Sequence, residues 1–173
     1  MGVETTTSQE YVYFGRILNL RVDTVRLAGG GVARREIVEH RDAVTVVPLD
    51  ADGNVLFVRQ FRKPTEQDLY ELPAGVMNEG ESPEQAAQRE LSEETGFTAG
   101  TLRHLAGCYT SAGFCTEYMH IFVATDLSPL QGTPDEDEDI TLHWIPLADA
   151  LGMITTGELR DAKTFIGLLL ASR

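Results

Sequence analysis

Near the middle of the 173-residue chain, Glu90, Glu93 and Glu94 fall within little more than one helical turn. Like charges one turn apart, as Glu90 and Glu94 are, repel by about 0.2–0.5 kcal/mol even on an open helix. Glu93 and Glu94 also stand just before Gly96, at the helix end where the dipole disfavours negative charge. A sequence that breaks two local rules at one place generally does so for function. Hard divalent cations such as Mg²⁺ take carboxylate oxygens, waters and phosphate oxygens, and binding one removes the repulsion. Arg89, four residues before Glu93, is spaced to brace one carboxylate while the others reach a cation. Taken alone, a glutamate-rich helix is more often a solvated face, so the surrounding spacing has to decide.

Several elements must position this cluster. Ser82 can cap a helix, Pro83 suits its first turn, Gln85 completes a capping box and Gly96 is a natural stop. The resulting helix over 83–95 would bury Ala87, Leu91 and Thr95 as one stripe. Ala43–Leu49 reads as an apolar strand, Asp50–Asn54 as a turn and Val55–Phe61 as the partner strand. Further strands are expected over 102–109, 118–124 and 140–145, and helices near 147–155 and 161–171. At the start, Tyr11–Phe14 and Ile17–Leu27 lead through the Ala28–Gly31 turn to an alternating return from Val32 to His40. This pattern predicts an α/β (α+β) sandwich over 43–173, an antiparallel N-terminal sheet over 11–42 and a disordered polar tail over 1–10.

Composition narrows the function classes. A formal charge of −13 argues against binding to the backbone of DNA or RNA, yet bound cations can still make a site for small phosphorylated substrates. No apolar run approaches the roughly 20 residues that span a membrane. The polar start, Met1–Gln9, lacks the layout of a signal peptide, so a cytoplasmic protein is expected. His40, His104, His120 and His143 show no zinc spacing, and Cys108 and Cys115 read as small buried thiols. Trp144 is expected in the core.

Gly75, five residues, Glu81, seven residues, then Arg89-Glu-Leu-Ser-Glu-Glu-Thr-Gly-Phe97 resembles the signature of the Nudix hydrolases at every fixed position. The resemblance implies a mixed sheet flanked by helices, and hydrolysis of a nucleoside diphosphate linked to another moiety. It implies Mg²⁺ (or Mn²⁺) held by the Ala74 carbonyl, Glu90 and Glu94, with Glu93 sharing a second ion or its waters. Glu81 and Arg89 would orient the helix and its loop.

Outside that signature the chain resembles the ADP-ribose pyrophosphatase branch. The segments that carry the likeness are Gly15–Leu20, Arg35–His40, Phe57–Arg62, Glu71–Gly75, Ser111–Phe114 and the acidic run Pro134–Ile140. The branch implies Glu136 as general base, Glu138 as a further metal ligand and Arg62 on the phosphate. Arg16 with Ile17 would enclose the adenine. Arg34 and Glu36 would read its edge, Gly113 would line the substrate, and Glu117 would bind the terminal ribose. It also implies a homodimer with exchanged N-terminal sheets. The chain carries Ala112 where the branch has proline. The leading expectation is hydrolysis of ADP-ribose. The alternatives are a relative acting on another nucleotide sugar, such as GDP-mannose, or on a different dinucleoside or flavin diphosphate, and a non-catalytic ADP-ribose sensor.

Overall fold

A computed structural model describes residues 3–130 and 140–173, which divide into two compact units. The first comprises the chain up to Asp42 together with Cys108–Tyr118. The second comprises Ala43–Gly107 and Met119–Arg173.

In the first unit, β1 (Thr5–Phe14), β2 (Leu18–Arg26) and β3 (Val32–His40) form an antiparallel sheet in that order. Thr5–Glu10, expected as part of a polar tail, instead form the first half of β1. Their backbone groups pair with β2 from Thr5↔Arg26 to Glu10↔Val22, which a polar run opening on three β-branched threonines allows. The turn between β2 and β3 places Gly30 at φ 85°, the left-handed region that glycine enters without a Cβ clash. Every residue of β1 is exposed, and Phe14 keeps 70% of its surface.

The second unit is built around β4 (Ala43–Pro48), all six residues of which are buried. A strand buried on both faces needs a layer on each side. One layer is α1 (Pro83–Thr95), where Ala86, Ala87 and Leu91 pack with Val44, Val46, Phe122 and Ala124. On the other side Val47 meets Phe57, Leu72, Leu159 and Leu168. The central sheet has the order β7 (Ala74–Val76), β4, β9 (Tyr118–Pro129), β8 (Phe97–Tyr109), with β4 and β9 parallel and β7 antiparallel to β4. A second sheet holds β5 (Asn54–Arg62) between β10 (Thr141–Pro146) and β6 (Gln67–Glu71). The helices α2 (Leu147–Thr156) and α3 (Ala162–Ala171) follow. The unit is therefore a mixed α/β sandwich. No helix of the described residues is long and apolar enough to cross a membrane.

Two expectations change here. The turn at Asp50–Asn54 forms, with the Asp50 carboxylate accepting from the backbone of Asp52 and Asn54. The flanking strands nonetheless pair only through the single bridge Leu49↔Val55 and then enter different sheets. Two strands that are each apolar on both faces bury more area stacked than side by side. Trp144 retains 41% of its surface and meets Phe97 edge-on at 5.8 Å, so it borders the core instead of filling it.

Candidate active site

The carboxylate helix begins and ends as its sequence predicts. Ser82 and Gln85 exchange side-chain bonds with each other's backbone N–H, and Gly96 closes the helix at φ 70°. Ala87, Leu91 and Thr95 are buried, and so are Ala86 and Glu90. Burying that stripe fixes the helix rotation, which turns Glu90 and Glu94 toward β7. Glu94 Oε2 accepts from the Ala74 backbone N–H at 3.1 Å. Glu90 lies across Gly75, where any Cβ would overlap all the atoms of its carboxylate group. The glycine that opens the signature is thus the space in which Glu90 rests.

Arg89 ties the helix to the loop before it. Its guanidinium grips Glu81 through two bonds of 2.8 and 2.9 Å, and donates to Glu90 at 2.7 Å, Glu93 at 2.9 Å and the Val76 carbonyl at 3.2 Å. Those bonds hold the Glu81 carboxyl down at about 2, where it is ionised across the working range. Burial pushes the Glu90 carboxyl the other way, above its ordinary value of 4.5, despite the pull of Arg89. An anion that has lost water and faces two other carboxylates is one that a cation would stabilise. Among the described residues no three His, Cys, Asp or Glu side chains already converge as a cation site. The donors on this face are nevertheless all hard oxygens, and the Glu90 carboxylate fills a cradle shaped by Gly75, so the residues fit a hard divalent ion.

At the end of β5, Arg62 is half exposed and makes a two-pronged pair with Glu71, at 2.7 and 2.9 Å. Glu71 is 2% exposed and also pairs with Lys163. Burial works to raise the Glu71 carboxyl, but Arg62 and Lys163 outweigh it and leave it below 4.5. The stabilisation is therefore complete above pH 4.5 and is lost as the pH falls through the lower folded value. Glu71→Gln should cost about 3 kcal/mol at neutral pH, as expected when two partly buried cations lose their shared anion. Urea midpoints measured for both proteins should converge as acid is added. A gap that stays constant down to pH 3 would show that Glu71 is not the titrating group. Glu71 and Lys163 were not among the expected site residues, and 92 residues separate them, so no local spacing signals their contact.

The remaining described residues lie in the first unit. Arg16 and Ile17 line a cavity of about 290 Å³ with Glu39, His40 and Arg41. Glu36 and Gly113 line another of about 240 Å³, with Arg35, Ala112, Phe114 and Cys115 along its wall. Arg34 is exposed, 3.8 Å from Glu10. Glu117 accepts from the Thr110 hydroxyl at 2.7 Å and lies 3.5 Å from the His40 Nδ1. Glu136 and Glu138 lie outside the described residues.

The chain is similar to known proteins over most of its length. Residues 39–166 match the NUDIX domain, and residues 4–38 match the nucleoside diphosphate sugar hydrolase N-terminal domain. An ADP-ribose pyrophosphatase of Bacillus subtilis is 42% identical over 93% of this chain and 88% of its own length. Another from Mycobacterium tuberculosis is 39% identical over 95% of this chain and 81% of its own. A solved structure described as an ADP compounds hydrolase superposes with a TM-score of 0.88 at 27% identity, covering 98% of this chain and 92% of its own. With the domain match covering most of its length and the Gly75–Glu90 cradle in place, the chain belongs to the Nudix family.

Proposed function

We propose that this protein hydrolyses ADP-ribose to AMP and ribose 5-phosphate. The observation that carries the reading is the desolvated Glu90 carboxylate seated over Gly75, one turn from Glu94 and close to Arg89. The two pyrophosphatase relatives support the choice of substrate. Glu90, Glu94 and the Ala74 carbonyl would hold Mg²⁺ or Mn²⁺, with Glu93 sharing a second ion or its waters. When bound, the metal neutralises the diphosphate's charge and helps activate water.

The chain's own groups do the rest. Arg89 holds the helix against Val76 and Glu81, keeping the carboxylates in register with β7. Arg62 donates to a phosphate oxygen, a task suited to a planar guanidinium. Glu136 accepts a proton from the attacking water as the water oxygen bonds to phosphorus, and the bridging P–O bond breaks. Glu138 would be a further ligand of the metal. Arg16 and Ile17 enclose the adenine, Arg34 and Glu36 meet its edge, Gly113 lines the substrate and Glu117 accepts from the terminal ribose.

The reading extends to a cytoplasmic homodimer in which each N-terminal sheet serves the partner copy. The support is β1, which leaves Tyr11, Val12, Tyr13 and Phe14 exposed along one strand. An apolar edge strand of this kind calls for a cover. Within the chain Phe14 stacks on Tyr11 at 4.8 Å yet keeps 70% of its surface, so sedimentation should show a dimer for the wild type and a monomer for Phe14→Asp. A wild-type monomer that is fully active at assay concentration would refute the dimer.

A second reading, hydrolysis of another nucleotide sugar, is favoured by Ala112 at the position where the ADP-ribose branch has proline. A hydrolysis panel of ADP-ribose, GDP-mannose, NADH and FAD, with Mg²⁺ and with Mn²⁺, separates the two. The expected result is AMP released from ADP-ribose at the highest kcat/KM. Preference for GDP-mannose would establish the second reading, and binding without turnover of any member would indicate a sensor.

A further inference from the structure

We propose that Lys163, acting through Glu71, is a positioning residue for Arg62 in diphosphate binding. The inference rests on the proposed contact between Arg62 and the substrate's phosphate. Glu71 ends β6 and is buried, with one carboxylate oxygen at the Arg62 Nε and the other shared between the Arg62 Nη2 and the Lys163 Nζ. Lys163 is itself largely buried, and its ammonium reaches the Asp161 carboxylate at 3.1 Å.

The lysine has little freedom to leave. Asp161 caps α3 by accepting from the Thr164 N–H at 3.0 Å and the Thr164 hydroxyl at 2.7 Å. The Thr164 hydroxyl in turn accepts from the Leu72 N–H at 3.0 Å. The first turn of α3 is thereby fastened to the residue after Glu71. From there the strand is held at successive positions. The Pro73 carbonyl accepts from the Val46 N–H, the Ala74 N–H goes to Glu94, and Gly75 lies under Glu90. One short segment, 71–75, thus carries both the cation pair and the seat of the carboxylates.

The charges explain why a second cation is needed. Glu71 with Arg62 alone would be a closed pair, with the whole demand of a buried anion falling on the one guanidinium. Lys163 takes part of that demand. Arg62 can then stay with its Nε and Nη2 on Glu71 while its side chain keeps 40% of its surface, within the field of Glu94. Without Lys163, the arginine is drawn toward Glu71 and meets the phosphate less well. The loss falls on substrate binding, because neither Lys163 nor Glu71 is assigned to the attacking water or the metal.

The test is steady-state kinetics on whichever nucleotide sugar of the panel the wild type turns over best, at saturating Mg²⁺, with a melting curve for each variant. Lys163→Met should raise KM about tenfold while kcat stays within about twofold, in line with losing one charged hydrogen bond. Lys163→Arg should recover most of the wild-type KM. Arg62→Gln should raise KM at least as much, and adding Lys163→Met to it should change KM little further. If Arg62→Gln raises KM but Lys163→Met does not, the positioning role fails and the contact between Arg62 and phosphate stands. An unchanged KM in Arg62→Gln removes that contact and the inference with it. A Lys163→Met effect of equal size in both backgrounds shows Lys163 acting on its own, which also overturns the proposal. Should Lys163→Met melt below the assay temperature, Lys163→Gln takes its place under the same criteria.

Discussion

Replacing Glu94 with glutamine is expected to lower kcat by about two to three orders of magnitude, with the fold intact. The expected size follows from several kcal/mol of transition-state stabilisation at one decade per roughly 1.4 kcal/mol. Glutamine keeps an amide oxygen that can still accept from the Ala74 N–H, so the contact between α1 and β7 survives. What disappears is an anionic oxygen facing the proposed cation and diphosphate. Kinetics at several Mg²⁺ concentrations, beside a melting curve, measure both consequences. A variant within a few-fold of wild type would show that Glu94 is not a ligand.

Gly75→Ala is expected to lower kcat about a hundredfold while changing the melting temperature little. A Cβ at residue 75 would occupy the volume that now holds the Glu90 carboxylate. That carboxylate is the far end of a flexible side chain, so it can swing away without disturbing the backbone or the core. The cost is catalytic, because displacing a reacting group by about 1 Å can lower the rate by a hundredfold. A methyl group therefore acts here as a selective probe of where Glu90 must lie. Wild-type turnover in Gly75→Ala would mean that the observed seat of Glu90 is not the productive one. A large drop in melting temperature would instead make residue 75 a structural glycine.

The helix was readable in the chain alone because its signals are local. Ser82, Pro83, Gln85 and Gly96 fix its ends within its own span, and Ala87 and Leu91 fix its buried face. Glu81 and Arg89, eight residues apart, were indicated through the resemblance to the family signature. The β2–β3 turn was similarly readable from its glycines. Pairing between strands was not. The turn at Asp50–Asn54 argues for a hairpin, and only the packing of β4 between α1 and the Phe57 layer separates its two arms. Thr5–Glu10 looked like a tail because polarity says nothing about ladder pairing, which β2 supplies from outside the segment.

The site divides along the same line. Residue types along the helix raised the idea of carboxylates gathered for a cation, since charge repulsion within a turn is set by sequence separation, and the spacing from Gly75 to Phe97 carried it through the family resemblance. The tertiary structure decided what holds them there. Gly75 is the seat of Glu90 because β7 lies under α1, and Arg62 is tied to Glu71 because β5 pairs with β6. Lys163 completes that pair only because α3 folds back onto Leu72 from 92 residues away. Local rules act through bonds and turns, whereas a buried ion pair is fixed by whichever surfaces exclude water together, and that depends on the whole packed chain.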